Sequence, residues 1–308
     1  MSKYLYFQDA HAKGKNSINR IGDYQADWLI KFDELLIIAK KYKVEAILDG
    51  GDLLDSPIVS YSVCDAIVDR VEKAKIPFYC LFGNHAERYH SKEHSFDTTL
   101  AHILRRSKYF EYLTTLYKQA DYVIEGIEYT NNIEEKLKEG MYLPDGGKNW
   151  KIAIIHAFIC PEPFPYASHV QCGEITTNAD LVLCAHYHKP FKVVIGNTTF
   201  LNIGCFGRNS ITEANIEPAC VLLDTEKRSW EIIKLTSAKK GQDVFDLKKV
   251  QDLKNKEADI DVFIQSLESV SFQGQSIEHI IKNVAKEDNT KQEVVDVIVN
   301  KIQEVQND

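Results

Sequence analysis

The chain of 308 residues contains no long hydrophobic run. Nothing in it reaches the roughly 18 apolar residues of a membrane-spanning helix, so none is expected. The apolar stretch near the start, Tyr4-Leu5-Tyr6-Phe7, gives way at once to Gln8-Asp9. That is too short for a signal peptide and reads as a buried first strand. No two cysteines are spaced as CxxC, and their total of seven is odd. Disulfides and a structural zinc site are therefore not expected; the thiols read as buried and free in a reducing, cytoplasmic setting. Positive charge is scarce too, with 37 Lys and Arg against 45 Asp and Glu and a net charge of −8. That balance disfavours a general polyanion-binding surface. A nucleic acid could be held only by positive potential concentrated locally, in part through bound metal ions. Internal repeats and low-complexity tracts are absent.

What is present is an alternation of strand and helix signals. Tyr4–Gln8 reads as a strand. Residues 26–42 place Trp28, Leu29, Phe32, Leu35, Leu36 and Ala39 at helical spacing. Val44–Asp49 is a second buried strand, residues 61–75 a second helix, and Pro77–Phe82 a third strand. This βαβαβ order predicts parallel strands with helical crossovers. The second half carries short apolar runs at Ile152–Ile155, Leu181–Cys184, Phe191–Ile195, Thr199–Ile203, Cys220–Leu223 and Trp230–Leu235. It predicts a second, more antiparallel sheet. The expected fold is α/β, a two-sheet mixed β sandwich flanked by helices. Residues 1–237 form its catalytic domain. Lys239-Lys240-Gly241 reads as a linker into a small helical appendage spanning 238–308.

Five clusters carry chemistry: Asp9-Ala10-His11, Gly51-Asp52-Leu53-Leu54-Asp55, Gly83-Asn84-His85, His156, and His186-Tyr187-His188. Each follows an apolar run. Residues just beyond the C-terminal ends of neighbouring strands converge in open α/β sheets, with the strand fixing position and the loop giving reach. Imidazole and carboxylate suit manganese, iron or zinc, and a carboxylate can bridge two ions. Two ions roughly 3.5–4 Å apart can clamp a phosphate and activate a water. A lone DxH or HxH is more often chance than a ligand, and a lone GDxxD is commonly a turn. All five in this order, each after a strand, are hard to obtain by chance.

The set resembles the calcineurin-like metallophosphoesterases, whose pattern is DxH, GDxxD, GNH[DE], H and GHxH, and whose fold is a four-layer αββα sandwich. Within them it is similar to SbcD-type double-strand-break repair nucleases, phage and mobile-element relatives included. The likeness spans about residues 4–235 and takes in Ser56-Pro57, His188-Lys189-Pro190 and the loop Gly204-Cys205-Phe206-Gly207-Arg208. It implies two divalent metals, manganese first and iron, zinc or magnesium otherwise. Asp9, His11, Asp52 and His188 would hold one, with Asp52 bridging to a second held by Asn84, His156 and His186. His85 would assist the leaving group, with Asp55 orienting its ring; the plainer reading of Asp55 is a helix or turn cap. Arg208 would contact substrate. Two positions depart from the pattern: Ala86 replaces the acidic residue after GNH, and Ala185 the Gly before HxH. The first could weaken support around the site.

Lys13, Lys15 and Arg20 follow the first ligand cluster with no acid before Asp23, and are expected to meet substrate phosphates. His90, His94, His102, His169 and His279 fit no motif position, and the Pro-rich stretch 161–170 is expected to loop over the site. The implied partners are DNA, an SMC-like ATPase subunit and a second copy of the chain, with residues 238–308 serving as cap or docking segment and no membrane involved. The expected reaction is metal-assisted phosphodiester hydrolysis in DNA, as an exo- or endonuclease in repair or recombination. A phosphatase or small-molecule phosphodiesterase with the same core, and a non-catalytic metal-binding scaffold, remain as alternatives.

Overall fold

The computed structural model describes residues 2–88, 95, 97–113, 115–118, 121–144, 149–165 and 167–248. Alternation along the first strand, β1 (Lys3–Phe7), sets the layering. Tyr4 and Tyr6 face one core cluster, while Leu5 and Phe7 face another. The first helix, α1 (Tyr24–Tyr42), begins where the Asp23 carboxylate accepts the Ala26 N–H, and ends at Lys43 in the left-handed conformation. It lays Trp28, Phe32 and Leu35 on Phe7 and Leu5. Then come β2 (Ala46–Asp49), α2 (Tyr61–Ala74), β3 (Phe78–Cys80), α3 (Thr99–Arg106) and β4 (Phe110–Tyr112).

The second layer begins with β5 (Thr115–Lys118) and β6 (Tyr122–Ile127), followed by α4 (Ile133–Glu139) and β7 (Trp150–Ala157). A short pair, β8 (Ile159–Cys160) and β9 (Val170–Gln171), precedes β10 (Leu181–His186), β11 (Phe191–Ile195) and β12 (Thr198–Asn202). The last strands among the described residues are β13 (Ala219–Asp224) and β14 (Ser229–Lys234), before a single turn, α5 (Gly241–Val244).

Two six-stranded sheets result, ordered β14-β13-β1-β2-β3-β4 and β11-β12-β10-β7-β6-β5. In the first, β1 to β4 pair in parallel and β13 and β14 antiparallel. In the second, β6, β7, β10 and β12 pair in parallel and the two edge strands antiparallel. Tyr6, Leu48, Ile152, Ile154, Leu183 and Val221 fill the space between the sheets. The outer face of the first is covered by α1 and α2, and that of the second includes Ile133 and Leu137 of α4. The fold is thus the expected α/β double sheet flanked by helices.

The expected second sheet is present, built from strands after β4, but it does not take every later strand. Instead β13 and β14 return to the first sheet, and the second sheet is parallel at its centre. Among the described strands, antiparallel pairing is confined to the hairpins β5-β6, β11-β12 and β13-β14, where a short turn suffices, and to the join of β13 with β1. The Lys239–Gly241 stretch is not a linker either. A Cβ on Gly241 would meet the Ala214 carbonyl oxygen at 2.1 Å, and Lys239 pairs with Asp27 at 2.7 Å. One compact unit runs to Phe245 and a second spans 246–308; the helices expected beyond residue 248 lie outside the described residues. No described helix is long and apolar enough to cross a membrane. All seven cysteines are free and buried.

Candidate metal centre

The loop leaving β1 is clamped on two sides by backbone hydrogen bonds. Asp9 N donates to the Gly51 carbonyl (3.2 Å), His11 N to Asp52 (2.8 Å) and Ala12 N to Leu53 (2.8 Å). Opposite, Phe206 N donates to Gln8 O and Gly207 N to Asp9 O, each at 3.1 Å. From above, α1 adds Trp28 Nε1 to Ala10 O (2.7 Å) and the Tyr24 hydroxyl to His11 O (2.9 Å). So fastened, Asp9 (φ 49°) and His11 (φ 48°) occupy the left-handed region, as do Asp52 (φ 56°) and His186 (φ 78°). Non-glycine residues enter that region at a cost, and do so mostly where function fixes them.

These loops, with the ends of β7 and β10 and the residues after β3 and β10, bring all seven sequence-predicted ligand residues into one cluster. Ligand atoms of Asp9, His11 and His188 lie within 4.8 Å of one another, and so do those of Asp52, His156 and His186. Asp52 stands between the groups, 3.9 Å from His11 Nε2 and 3.3 Å from His156 Nε2. Asn84 Oδ1 is 3.1 Å from the same His156 nitrogen. The Asp9 carboxylate accepts the His186 N–H and the Gln8 amide at 3.0–3.1 Å.

The donor set fits a pair of divalent cations. His156 Nδ1 lies 3.0 Å from the Gly50 carbonyl, where it donates. Its Nε2 then faces only oxygen acceptors, of Asn84 and Asp52. His11 Nε2 and His188 Nε2 face each other at 3.1 Å, and buried His11 Nδ1 has no hydrogen-bond partner. Acceptors that converge in this way require a proton or a metal ion between them. The charges read likewise. Burial would raise the Asp52 carboxyl, but His156, His11 and His85 hold it well below the usual carboxylate range. Burial would lower His156, yet Asp52 and Asp9 push it up to about 9. His186 is pushed down to about 3 by burial and by His156. Glycine makes the room: a Cβ on Gly51 would lie 2.3 Å from His156 Nδ1, and one on Gly83 2.1 Å from Asp52 Oδ1.

His85 stands at the rim with its ring 4.7 Å from that of His11. Its Nδ1 lies 2.7 Å from the backbone carbonyl of Asp55, not from the Asp55 carboxylate. That carboxylate faces Lys13 Nζ (3.1 Å), His11 Nδ1 (3.5 Å) and the Asn209 amide (2.6 Å). Lys15 is exposed. Arg20 and Arg208 do not face a substrate, contrary to expectation. The Arg20 side chain is 2% exposed, paired with Asp27 at 3.0 Å and stacked on Tyr24. Arg208 is 3% exposed, and its guanidinium donates to the Lys239 carbonyl at 2.7 Å. A guanidinium buried inside the body is out of reach of a substrate phosphate, although the Nε of each has no partner of its own. His102 is exposed, and His169 braces its own loop through the Phe164 N–H (3.2 Å). His90, His94 and His279 lie outside the described residues.

Sequence reasoning missed Glu213, whose carboxylate is 2.5 Å from His188 Nδ1. Together with Cys205, it pushes His188 up to about 12 against burial. It also missed the partly exposed rings of Tyr129 and Phe158, 5.8 and 5.9 Å from the His186 ring.

The calcineurin-like phosphoesterase family model matches residues 9–190, more than half of the chain. Among solved structures, TT1561 of Thermus thermophilus is 13% identical with a TM-score of 0.44, an archaeal phosphodiesterase 14% with 0.40, and a dimetal phosphatase from Danio rerio 8% with 0.46. Each alignment covers 76% of this chain and 99% of the other. No curated protein matches significantly. A matched segment that opens on Asp9 and closes just past His188 contains every one of the converging donors, and on that ground the chain belongs to the calcineurin-like phosphoesterases, metal-dependent hydrolases of phosphate esters.

Proposed function

We propose that the chain is a two-metal phosphodiester hydrolase acting on DNA, as an SbcD-like nuclease. The observation that carries the two-metal part is the position of Asp52, a buried carboxylate shared by two groups of nitrogen and oxygen donors. Asp9, His11, Asp52 and His188 would hold one ion, and Asp52, Asn84, His156 and His186 the other. When bound, such a pair supplies Lewis acidity toward the phosphoryl oxygens and an activated water. His85 donates Nδ1–H to the Asp55 carbonyl, which turns its Nε2 away from Asp55. That nitrogen would carry the proton handed to the departing oxygen. Lys13, held by Asp55 at the rim, and exposed Lys15 would meet phosphates flanking the cleaved one. DNA as substrate is supported by the motif resemblance, which extends past the ligands to His188-Lys189-Pro190. Manganese, an SMC-like ATPase and a homodimer belong to this same reading.

The test is cleavage of end-labelled duplex and single-stranded DNA with manganese, magnesium or chelator. Manganese-dependent cleavage is expected, lowered about 10²–10⁴-fold in His85→Ala with metal content retained. Turnover of a nucleotide or phosphoprotein but not of DNA would replace the nuclease by a phosphatase. Metal occupancy without turnover of any phosphate ester would leave a scaffold.

A further inference from the structure

Beside His186 the surface is made of rings. Phe158 stacks on Tyr187 (centroids 4.9 Å apart, planes 30° apart), and Phe164 lies 5.0 Å from Phe158 and 6.2 Å from Tyr187. Tyr129 closes the side toward the donors, 5.8 Å from the His186 ring. All four are partly exposed. Packing alone does not account for them. Phe158 and Tyr187 follow the central strands β7 and β10, and strand ends that need only cover take aliphatic side chains as readily. Here Phe164 sits on a loop between Pro163 and Pro165. Proline fixes its own φ and confines the residue before it to extended backbone, so the backbone that carries the Phe164 ring has little conformational freedom. The loop is braced internally, with Phe164 N donating to His169 Nε2 and His169 Nδ1 lying 3.0 Å from Ala167 O. Tyr187 is fixed as firmly, since both of its neighbours in the chain, His186 and His188, belong to the donor cluster. A rigid, partly exposed patch of aromatic faces against a phosphate-handling centre is matched by a planar ring attached to a phosphate.

We propose that Phe158, Phe164 and Tyr187 form a stacking platform for one unpaired nucleobase of the substrate, next to the scissile phosphate. The inference rests on the phosphodiesterase reading of the metal centre and adds a specificity to it. Bases inside a duplex have both faces covered, so the platform takes a base from a single strand or a frayed end. Stacking on such rings is tolerant of base identity, because every base has a π-face.

Two measurements on the full manganese-loaded chain test this. The first is equilibrium binding of an oligodeoxythymidylate in a His85→Ala background, with and without Phe164→Ala, and with Phe164→Trp as the conservative replacement. Affinity is expected to fall about tenfold with alanine and to be kept with tryptophan. Equal affinity in all three, or no binding at all, overturns the platform. The second compares kcat/KM for thymidine 5′-(p-nitrophenyl phosphate) and methyl p-nitrophenyl phosphate, which lose the same leaving group. The wild-type chain is expected to prefer the nucleoside ester, and Phe164→Ala to reduce that ratio about tenfold through KM. A ratio that does not move overturns the platform while leaving the hydrolase intact. Turnover of neither ester, with binding still sensitive to Phe164, sinks the hydrolase and leaves the platform.

Discussion

His188 shows how one side chain outside the motifs can set the properties of one inside. Its Nδ1 is held by Glu213 at 2.5 Å, which fixes the tautomer and aims Nε2 at His11. Glu213→Gln is expected to weaken metal binding about 10–100-fold while the fold persists, as measured by competition with a chelator. Gly83 gives the opposite kind of test. Gly83→Ala would drive a Cβ to 2.1 Å from Asp52 Oδ1, whereas Gly173→Ala meets nothing within 4 Å. The first is expected to lose metal and about 1–3 kcal/mol of stability in urea titration, and the second to behave like wild type. The converging donors were legible because their types and their places after strands are both written locally. Glu213 was not. Ser210 and Glu213 form a capping box that explains the pair without any site, and the contact with His188 spans 25 residues. Arg20 and Arg208 misled for a related reason: a charged residue in a loop reads as solvated, and only the folded chain shows its partners.

At the scale of elements, α1 does more than cover a sheet. Besides Trp28 and Tyr24, it sends Lys31 to the backbone carbonyls of Phe206 and Gly207, in the loop that grips Gln8 and Asp9. Burial, with Arg208 and Arg20 nearby, pushes the Lys31 amine down to about 7. The unfolded chain binds that proton up to near pH 10.5, so between about pH 7 and that value it carries more protons than the folded chain. Stability therefore rises with pH across this window, by up to ~1.4 kcal/mol per pH unit from this group. Urea titrations of wild type and Lys31→Met between pH 7 and 10 should show a slope in the first that is reduced in the second. The helix itself was plain from its spacing, and so were β1 to β3. By contrast β4, β5, β6 and α4 were not anticipated, and β13 and β14 were assigned to the wrong sheet. Short strands carry little periodicity, and the pairing of β13 with β1 joins residues more than 200 apart, which no local pattern encodes.

Across the whole body, the donors are divided between the sheets. Asp9, Asp52 and Asn84 follow strands of the first, while His156 and His186 lie in strands of the second. Ions bound between them would tie the two layers as well as perform chemistry. Manganese is accordingly expected to raise the unfolding temperature in a concentration-dependent way, by the equivalent of ~4 kcal/mol at 1,000 times Kd, and a chelator to reverse it. Calorimetry at several metal concentrations measures this. The left-handed backbone at Asp9, His11, Asp52 and His186 has a bearing on laboratory evolution. Glycine adopts that conformation without the steric cost that aspartate and histidine carry. A library selected for heat resistance alone, without metal, should drift toward glycine at these four positions and yield sturdy, inert descendants. Only selection that also demands turnover would retain the original residues.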